Sequence, residues 1–135
     1  MFVYAHGGDH HLREACGRVF GARVAGRVDI TTTVEVIQEF VHVYSRRRDR
    51  ARAVFLARQL TAGLPLLTTE PMDLELGLEL FLQHRGLNAF DGLLAAVAVN
   101  QRAEALISAD KAFGLVPGLP WIDPATTDLD RILGS

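Results

Sequence analysis

The sequence predicts an α/β fold, a three-layer α/β/α sandwich with a short parallel sheet. Short β-prone segments alternate with segments of helical periodicity, an order typical of parallel strands joined by helical crossovers. Glycine and proline mark the connections, and the chain has no internal repeat, low-complexity stretch or flexible linker. We therefore predict that residues 1–135 form a single domain with its own hydrophobic core.

The composition narrows the class of protein. Hydrophobic residues make up 49% of the chain and the formal net charge is −2. These values describe a globular protein and exclude both disordered chains and strongly basic nucleic-acid coats. The single cysteine, Cys16, excludes an internal disulfide. The N-terminus lacks the pattern of a signal peptide and no segment is long enough to span a bilayer, so we expect a cytoplasmic protein.

The first half of the chain is predicted to hold three helices. Asp9 is the candidate N-cap of the first helix, and Gly26 can end it in the left-handed conformation. Residues 28–31 are β-prone, and Thr32 or Thr33 then caps the second helix. The apolar residues that recur at helical spacing are Leu12, Ala15, Cys16, Val19 and Phe20 in the first helix, Val34, Ile37, Val41 and Tyr44 in the second, and Val54, Phe55, Leu56 and Leu60 in the third.

Two more helices are predicted in the second half of the chain. Pro71, preceded by two threonines, starts one helix that ends near Gly86. Asn88, followed three residues later by Asp91, resembles a capping box and starts the other. The residues expected to face the core are Leu74, Leu78, Phe81 and Leu82 in the former helix and Leu93, Leu94, Val97 and Ala98 in the latter.

Three further strands are predicted, at Leu66–Leu67, at residues 105–108 and at Trp121–Ile122. The middle one leads directly into Asp110. In open α/β sheets, ligands bind in the crevice beyond the carboxyl ends of the strands. A carboxylate at the exit of a buried strand is therefore placed for chemistry.

Two other carboxylates, Glu39 and Asp91, occupy helical positions that can converge on Asp110. Carboxylates about 5 Å apart repel by about 3 kcal/mol at an effective dielectric constant of about 20, so a group of them favours a bound cation. Oxygen ligands suit Mg²⁺ or Mn²⁺, and no cysteine–histidine spacing in the chain suits zinc. These residues indicate a metal-dependent nuclease.

Three segments of the chain resemble PIN-domain proteins of the VapC type. Residues 91–98, DGLLAAVA, are similar to the family's Asp-Ala-Leu-x-Ala-Ala-x-Ala helix. Residues 108–113, SADKAF, follow at the usual interval. Residues 36–40, VIQEF, are similar to the helix that bears another acidic residue, and Glu39 rather than Glu35 matches it because Glu39 directly precedes the aromatic residue.

The resemblance implies a metal-dependent endoribonuclease, the toxin of a toxin–antitoxin pair, that hydrolyses RNA phosphodiester bonds with Mg²⁺ or Mn²⁺. Asp91 and Asp110 would be direct or water-mediated metal ligands, and Glu39 would bind metal or orient the attacking water. Ser108 would hold a carboxylate or a water molecule by hydrogen bonding. The partners implied are an RNA substrate, a small antitoxin whose C-terminal segment covers the acidic groove, and a second copy of the chain in a homodimer.

The chain departs from the family pattern at its start. The family has a first strand ending in an aspartate, followed by residues like Val-Phe-Val-Tyr-Ala, whereas this chain opens with MFVYA. We therefore expect the N-terminal strand to be truncated, with weak metal affinity and low activity. Alternatively, residues 1–4 form that strand and Asp9 or a neighbour replaces the missing acid. A third possibility is a catalytically silent PIN-like module that binds protein or RNA.

The acidic residues also have purely structural interpretations. Asp91 can simply cap its helix, Asp110 can be a turn residue and Glu39 can be a solvated helix residue. A nucleotide-binding domain is a weaker interpretation, because no glycine-rich phosphate loop follows any strand.

Basic and aromatic residues complete the candidates. Arg46, Arg47 and Lys111 are possible contacts for RNA phosphates, although charged runs between helices are usually solvated. Phe113 and Trp121 are expected to cover the core rather than to stack on bases, since each lies among apolar, glycine or proline residues.

Overall fold

The computed structural model describes residues 11–134, apart from the side chains of residues 11–13 and 16. The predictions for Asp9 and for a strand at residues 1–4 lie outside the described residues. No helix within the described part of the chain is long and apolar enough to cross a membrane. The elements are α1 (His11–Val24), β1 (Thr32–Thr33), α2 (Val34–Ser45), α3 (Arg50–Ala62), β2 (Leu66–Leu67), α4 (Pro71–Gln83), α5 (Ala89–Asn100), β3 (Leu106–Ile107), a 3-10 helix (Lys111–Leu115), β4 (Trp121–Ile122) and α6 (Asp128–Leu133).

The strands of the described region form two parallel pairs. β1 pairs with β2, so that Thr32 lies opposite Leu66. β3 pairs with β4, so that Leu106 lies opposite Trp121. Each pair is connected through intervening helical structure, as parallel pairing requires. The predicted α/β class is confirmed, and the carboxyl end of β3 leads into the segment that carries Asp110.

The strand predicted at residues 28–31 is wrong in its position. Val28 and Ile30 are half-buried against the core, but backbone pairing begins at Thr32, because the partner residues are Leu66 and Leu67. Thr33 then ends β1 and also caps α2, as its hydroxyl oxygen accepts a hydrogen bond from the Val36 N–H at 3.3 Å. The β-prone residues at 28–31 therefore indicate partial burial against the core and not backbone pairing in the sheet.

Buried apolar side chains of the described residues form three clusters. The first cluster joins α2 to α3, the second joins α1 to β4 and α6, and the third joins α4, α5 and the 3-10 helix. Some predicted core positions are wrong, because Val34, Val54 and Phe55 are substantially exposed. The predicted core positions Tyr44, Leu56 and Leu60 are confirmed, and together with Phe40, Ala53 and Ala57 they form the buried contact between α2 and α3.

The side of α4 that faces the core is not the predicted one. Leu74, Leu78 and Phe81 are each about half exposed, and Leu82 is 77% exposed. The buried residues of α4 are Asp73, Gly77 and Leu80. Small residues let α4 lie directly on α5, so the large apolar side chains are left on the outer side.

Polar side chains join the start of α4 to the end of α5. Asp73 is 1% exposed, and its carboxylate accepts hydrogen bonds from the Asn100 side-chain amide at 2.7 Å and from the Glu70 N–H at 2.8 Å. Asp73 lies in the first turn of α4 and Asn100 ends α5, so the two helices run antiparallel. Glu70 rather than a threonine is the N-cap of α4, and the helix ends at Gln83 rather than near Gly86.

Candidate active site

Asp91 lies in the first turn of α5, at the groove between α2 and α5. The helix begins there because the side chain of Asn88 accepts a hydrogen bond from the Asp91 N–H at 2.8 Å, as the sequence predicts. The carboxyl group of Asp91 makes a hydrogen bond with the carboxyl group of Asp110. The backbone N–H of Asp91 thus takes part in the helix cap, and its side chain is left to interact with Asp110.

Asp110 lies between β3 and the 3-10 helix, three residues beyond the end of the strand. Its backbone N–H donates to the Ser108 hydroxyl at 3.1 Å, and its carboxylate accepts a hydrogen bond from the Ala112 N–H at 2.9 Å. The turn interpretation of Asp110 is therefore correct as far as it goes, since Asp110 caps the 3-10 helix. The Ser108 hydroxyl contacts the backbone of Asp110, and its hydrogen bond to a carboxylate or a water molecule stays a prediction.

The two neighbouring carboxyl groups change the acidity of Asp91. Burial raises its pKa most, and the hydrogen bond with Asp110 and the negative charges of Asp110 and Glu39 raise it further, from an ordinary value of 3.8 to about 7. The raised pKa favours the protonated form of Asp91 at mildly acidic pH. A divalent cation would offset the same repulsion and would compete with that proton.

Glu39 lies on α2 on the opposite side of the groove, and its side chain is exposed. It contributes to the pKa of Asp91 through its charge. The residues that line the groove are Thr33, Glu35, Val36, Glu39, Phe90, Asp91, Leu93 and Leu94. The structure therefore brings Glu39 and Asp91 to one groove and Asp91 into contact with Asp110.

The three predicted acids do not form a closed ligand set as the side chains stand. Among residues 11–134, no group of three or more histidine, cysteine or carboxylate side chains is close enough to hold one metal ion. Asp91 and Asp110 meet directly, whereas Glu39 acts on Asp91 at longer range. A bound ion would thus be held by two neighbouring carboxylates, with water or phosphate in its other positions, an arrangement that Mg²⁺ accepts.

Glu35 is a further acid of the groove, for which the sequence predicts no role. Its carboxylate accepts a hydrogen bond from the Thr69 hydroxyl, which lies between β2 and α4. Glu35 and Glu39 are one helical turn apart, so periodicity alone does not distinguish them. The hydrogen bond with Thr69 distinguishes the two acids, because it gives Glu35 a structural partner.

The basic candidates lie elsewhere on the surface. Arg46 and Arg47 follow α2, Lys111 begins the 3-10 helix, and all three side chains are exposed. None of them lines the groove. Phe113 is 1% exposed, which confirms that it belongs to the core.

Known proteins similar to this chain share both its pattern and its length. The PIN-domain family matches residues 1–119. Ribonuclease VapC7 of Mycobacterium tuberculosis is 40% identical over 136 aligned positions, which cover 99% of this chain and 94% of that protein. Ribonuclease VapC13 of Mycobacterium tuberculosis and VapC ribonuclease Mb1869c of Mycobacterium bovis are each 28% identical over 121 positions, which cover 87% of this chain and 90% of each relative. No solved structure matches the chain significantly. The chain belongs to the PIN-domain family and is a VapC-type member of it.

Proposed function

We propose that the protein is a metal-dependent endoribonuclease, the toxin of a toxin–antitoxin pair, and that Asp91, Asp110 and Glu39 form its active site. The observation that carries this proposal is the contact between the Asp91 and Asp110 carboxyl groups, which come from separate elements and share a hydrogen bond. The relatives named as VapC ribonucleases support the reaction class. Because its substrate is cellular RNA, we place the enzyme in the cytoplasm.

The residues present fit a hard divalent cation. Asp91 and Asp110 offer neighbouring oxygen ligands whose mutual repulsion is relieved by positive charge, and Mg²⁺ or Mn²⁺ prefers such oxygens. When bound, the ion supplies Lewis-acid activation of water and stabilisation of charge at the phosphate. Asp91 gives up its proton when it becomes a ligand.

Glu39 has a different role in the proposal. It is exposed on the far side of the groove and has no hydrogen bond described to another side chain, so its carboxylate is free to orient the attacking water or to take its proton. Ser108 holds the Asp110 backbone through its hydroxyl oxygen, and its hydroxyl proton would be donated to a carboxylate or a water molecule. Arg46, Arg47 and Lys111 are exposed cations that would bind RNA phosphates beyond the groove.

Two protein partners belong to the proposal. A small antitoxin would cover the acidic groove and block access to Asp91 and Glu39, and an arginine side chain would complement the charge there. A second copy of the chain would cover the outer side of α4. That side exposes Leu74, Leu78 and Leu82, which follow one another at intervals of four residues on one face of the helix.

A catalytically silent PIN-like module that binds protein or RNA is the second candidate. It is favoured by one observation, the lack of any group of three metal-ligand side chains in contact within residues 11–134. In that case the acidic pair would remain but would hold a cation too weakly for hydrolysis.

Cleavage of single-stranded RNA by the purified full chain separates the two candidates. We expect cleavage in Mg²⁺, none in EDTA, and a loss of about 100-fold or more in Asp110→Asn. Asp128→Asn is the matched control, because Asp128 is an exposed acid that forms an ion pair with Arg131 of its own helix, and we expect it to cleave normally. RNA binding without cleavage, or equal cleavage by wild type and Asp110→Asn, would reject the enzyme.

A further inference from the structure

Trp121, the single tryptophan of the chain, lies beside the segment that carries Asp110. It is half-buried in β4, opposite Leu106 of β3. Its indole N–H donates a hydrogen bond of 2.9 Å to the backbone carbonyl of Ser108. A buried indole N–H commonly finds a partner, but this partner is the residue from which the Asp110 turn begins.

Ser108 is held in position by three separate hydrogen bonds. Its N–H donates to the Ile122 carbonyl at 3.1 Å, its carbonyl accepts from Trp121, and its hydroxyl accepts from the Asp110 N–H. Two of the three bonds come from adjacent residues of β4. Since the third bond reaches Asp110 itself, the position of Ser108 determines where the Asp110 backbone lies.

The ring of Trp121 also contacts the far side of the same segment. A methyl group on Gly114, in the 3-10 helix after Asp110, would lie 3.0 Å from Cζ3 and 3.2 Å from Cε3 of the indole. The ring therefore packs closely on the backbone of Gly114. One side chain thus holds residue 108 by a hydrogen bond and residue 114 by contact, with Asp110 between them.

We infer that Trp121 is a positioning residue for Asp110, because it clamps both ends of the 108–114 segment and so places the Asp110 carboxylate against that of Asp91. The consequence for RNA cleavage rests on the proposed function. Trp121 touches neither substrate nor metal in this role. A clamp of this kind reduces the conformations that the carboxylate samples, so the ligand pair is preformed before an ion arrives.

A merely structural Trp121 would make a different prediction. The ring also packs against the cluster that contains Phe113 and Val116, so any truncation removes buried area. If packing were its whole role, a destabilised variant elsewhere in the core would behave like a Trp121 variant. The experiment must therefore compare variants of equal stability.

We would use the full chain with Trp121→Phe, which keeps an aromatic ring and removes the indole N–H. Gly114→Ala, the second variant, keeps the N–H but pushes the ring away. The control is Leu60→Val or Leu60→Ala, whichever matches the melting temperature of Trp121→Phe, since Leu60 lies in the separate cluster between α2 and α3. Amide hydrogen exchange at Asp110 and Ala112 and steady-state RNA cleavage in Mg²⁺ are measured for each.

We expect Trp121→Phe to lower kcat by about 10-fold to 100-fold, the usual effect of losing a supporting partner of a metal ligand. The KM for RNA should change little, because the lost bond does not touch RNA. The Asp110 and Ala112 amides should exchange at least several-fold faster than in the Leu60 control, as both amides depend on the ordered turn. Gly114→Ala should change the same quantities in the same direction.

Exchange rates in Trp121→Phe that equal those of the Leu60 control would overturn the inference. So would an unchanged kcat in an active enzyme. If the wild-type chain cleaves no RNA, the proposed function fails, and amide exchange alone then decides whether Trp121 positions the Asp110 segment.

Discussion

Gly92 and Gly77 touch where α5 crosses α4. A methyl group on Gly92 would lie 2.9 Å from the carbonyl oxygen of Gly77, and one on Gly77 would lie 3.0 Å from the Cα of Leu93. Gly92 directly follows Asp91, and the resembling family motif has alanine at this place. The close approach of the two backbones therefore explains why residue 92 is glycine. It also fixes the distance between α4 and the turn of α5 that carries Asp91.

Gly92→Ala is expected to destabilise the protein. The added methyl group must push α5 away from α4, and overpacking of this kind typically costs about 1–3 kcal/mol. Gly21→Ala in α1 is the matched control, because no atom from another part of residues 11–134 lies within 4 Å of the added methyl group. We expect this control to gain about 0.5–1 kcal/mol, since alanine is the better helix former. Urea unfolding measures both changes, and a gain in Gly92→Ala would contradict the contact.

The stability of the metal-free protein should fall as pH rises from about 4 to about 7. In this window the folded protein retains on Asp91 a proton that the unfolded chain has released, because the pKa of Asp91 is raised from 3.8 to about 7. The contribution of Asp91 to the free energy of unfolding is therefore fully present below about pH 4. It is lost once the pH rises above about 7. Urea unfolding in EDTA at pH 5 and pH 8 measures the difference.

Asp91→Asn provides the control for this pH dependence. Asparagine does not ionise, so the variant should lose less stability than wild type between pH 5 and pH 8. Millimolar Mg²⁺ should raise the stability of wild type at pH 8 but not that of the variant, since an ion that binds the folded state stabilises it. Identical pH profiles for the two proteins would contradict the raised pKa.

Glu39→Gln and Glu35→Gln should have different effects on RNA cleavage. We expect Glu39→Gln to reduce kcat/KM by about 10-fold to 100-fold, because its carboxylate is the one available to the water or metal. Glu35→Gln should cleave nearly as wild type, since Glu35 is already bonded to Thr69 and glutamine can also accept that hydrogen bond. The reverse order of effects would mean that the wrong acid of α2 has been assigned.

Leu78→Lys should dissociate the proposed homodimer into monomers. Leu78 is 51% exposed in the middle of the outer side of α4, and a charge there would be buried in the proposed interface. Val24→Lys is the control, because Val24 is an isolated exposed apolar residue of α1. Sedimentation velocity at micromolar concentration gives the result, and a wild-type monomer would reject the interface.

The sequence predicts much of the local structure because the relevant signals are local. Asn88 starts α5 by bonding a backbone N–H three residues away, and Leu66–Leu67 and Trp121–Ile122 are strands as expected. The apolar spacing of Leu74, Leu78, Phe81 and Leu82 correctly predicts a helix. The same spacing predicts the wrong core-facing side. Periodicity shows which residues share one side of a helix, but it does not show whether that side packs against the core or faces solvent.

The sequence by itself determined the order of elements, the starts of several helices and, by resemblance, which carboxylates are the candidates for the active site. Only the tertiary structure decided that Asp91 meets Asp110, that α4 packs through Gly77, and that Trp121 holds the Asp110 segment. The physical reason is range. Caps, turns and periodicity act within a few residues, whereas the pairing of carboxyl groups 19 residues apart in the sequence depends on where the packed helices place them.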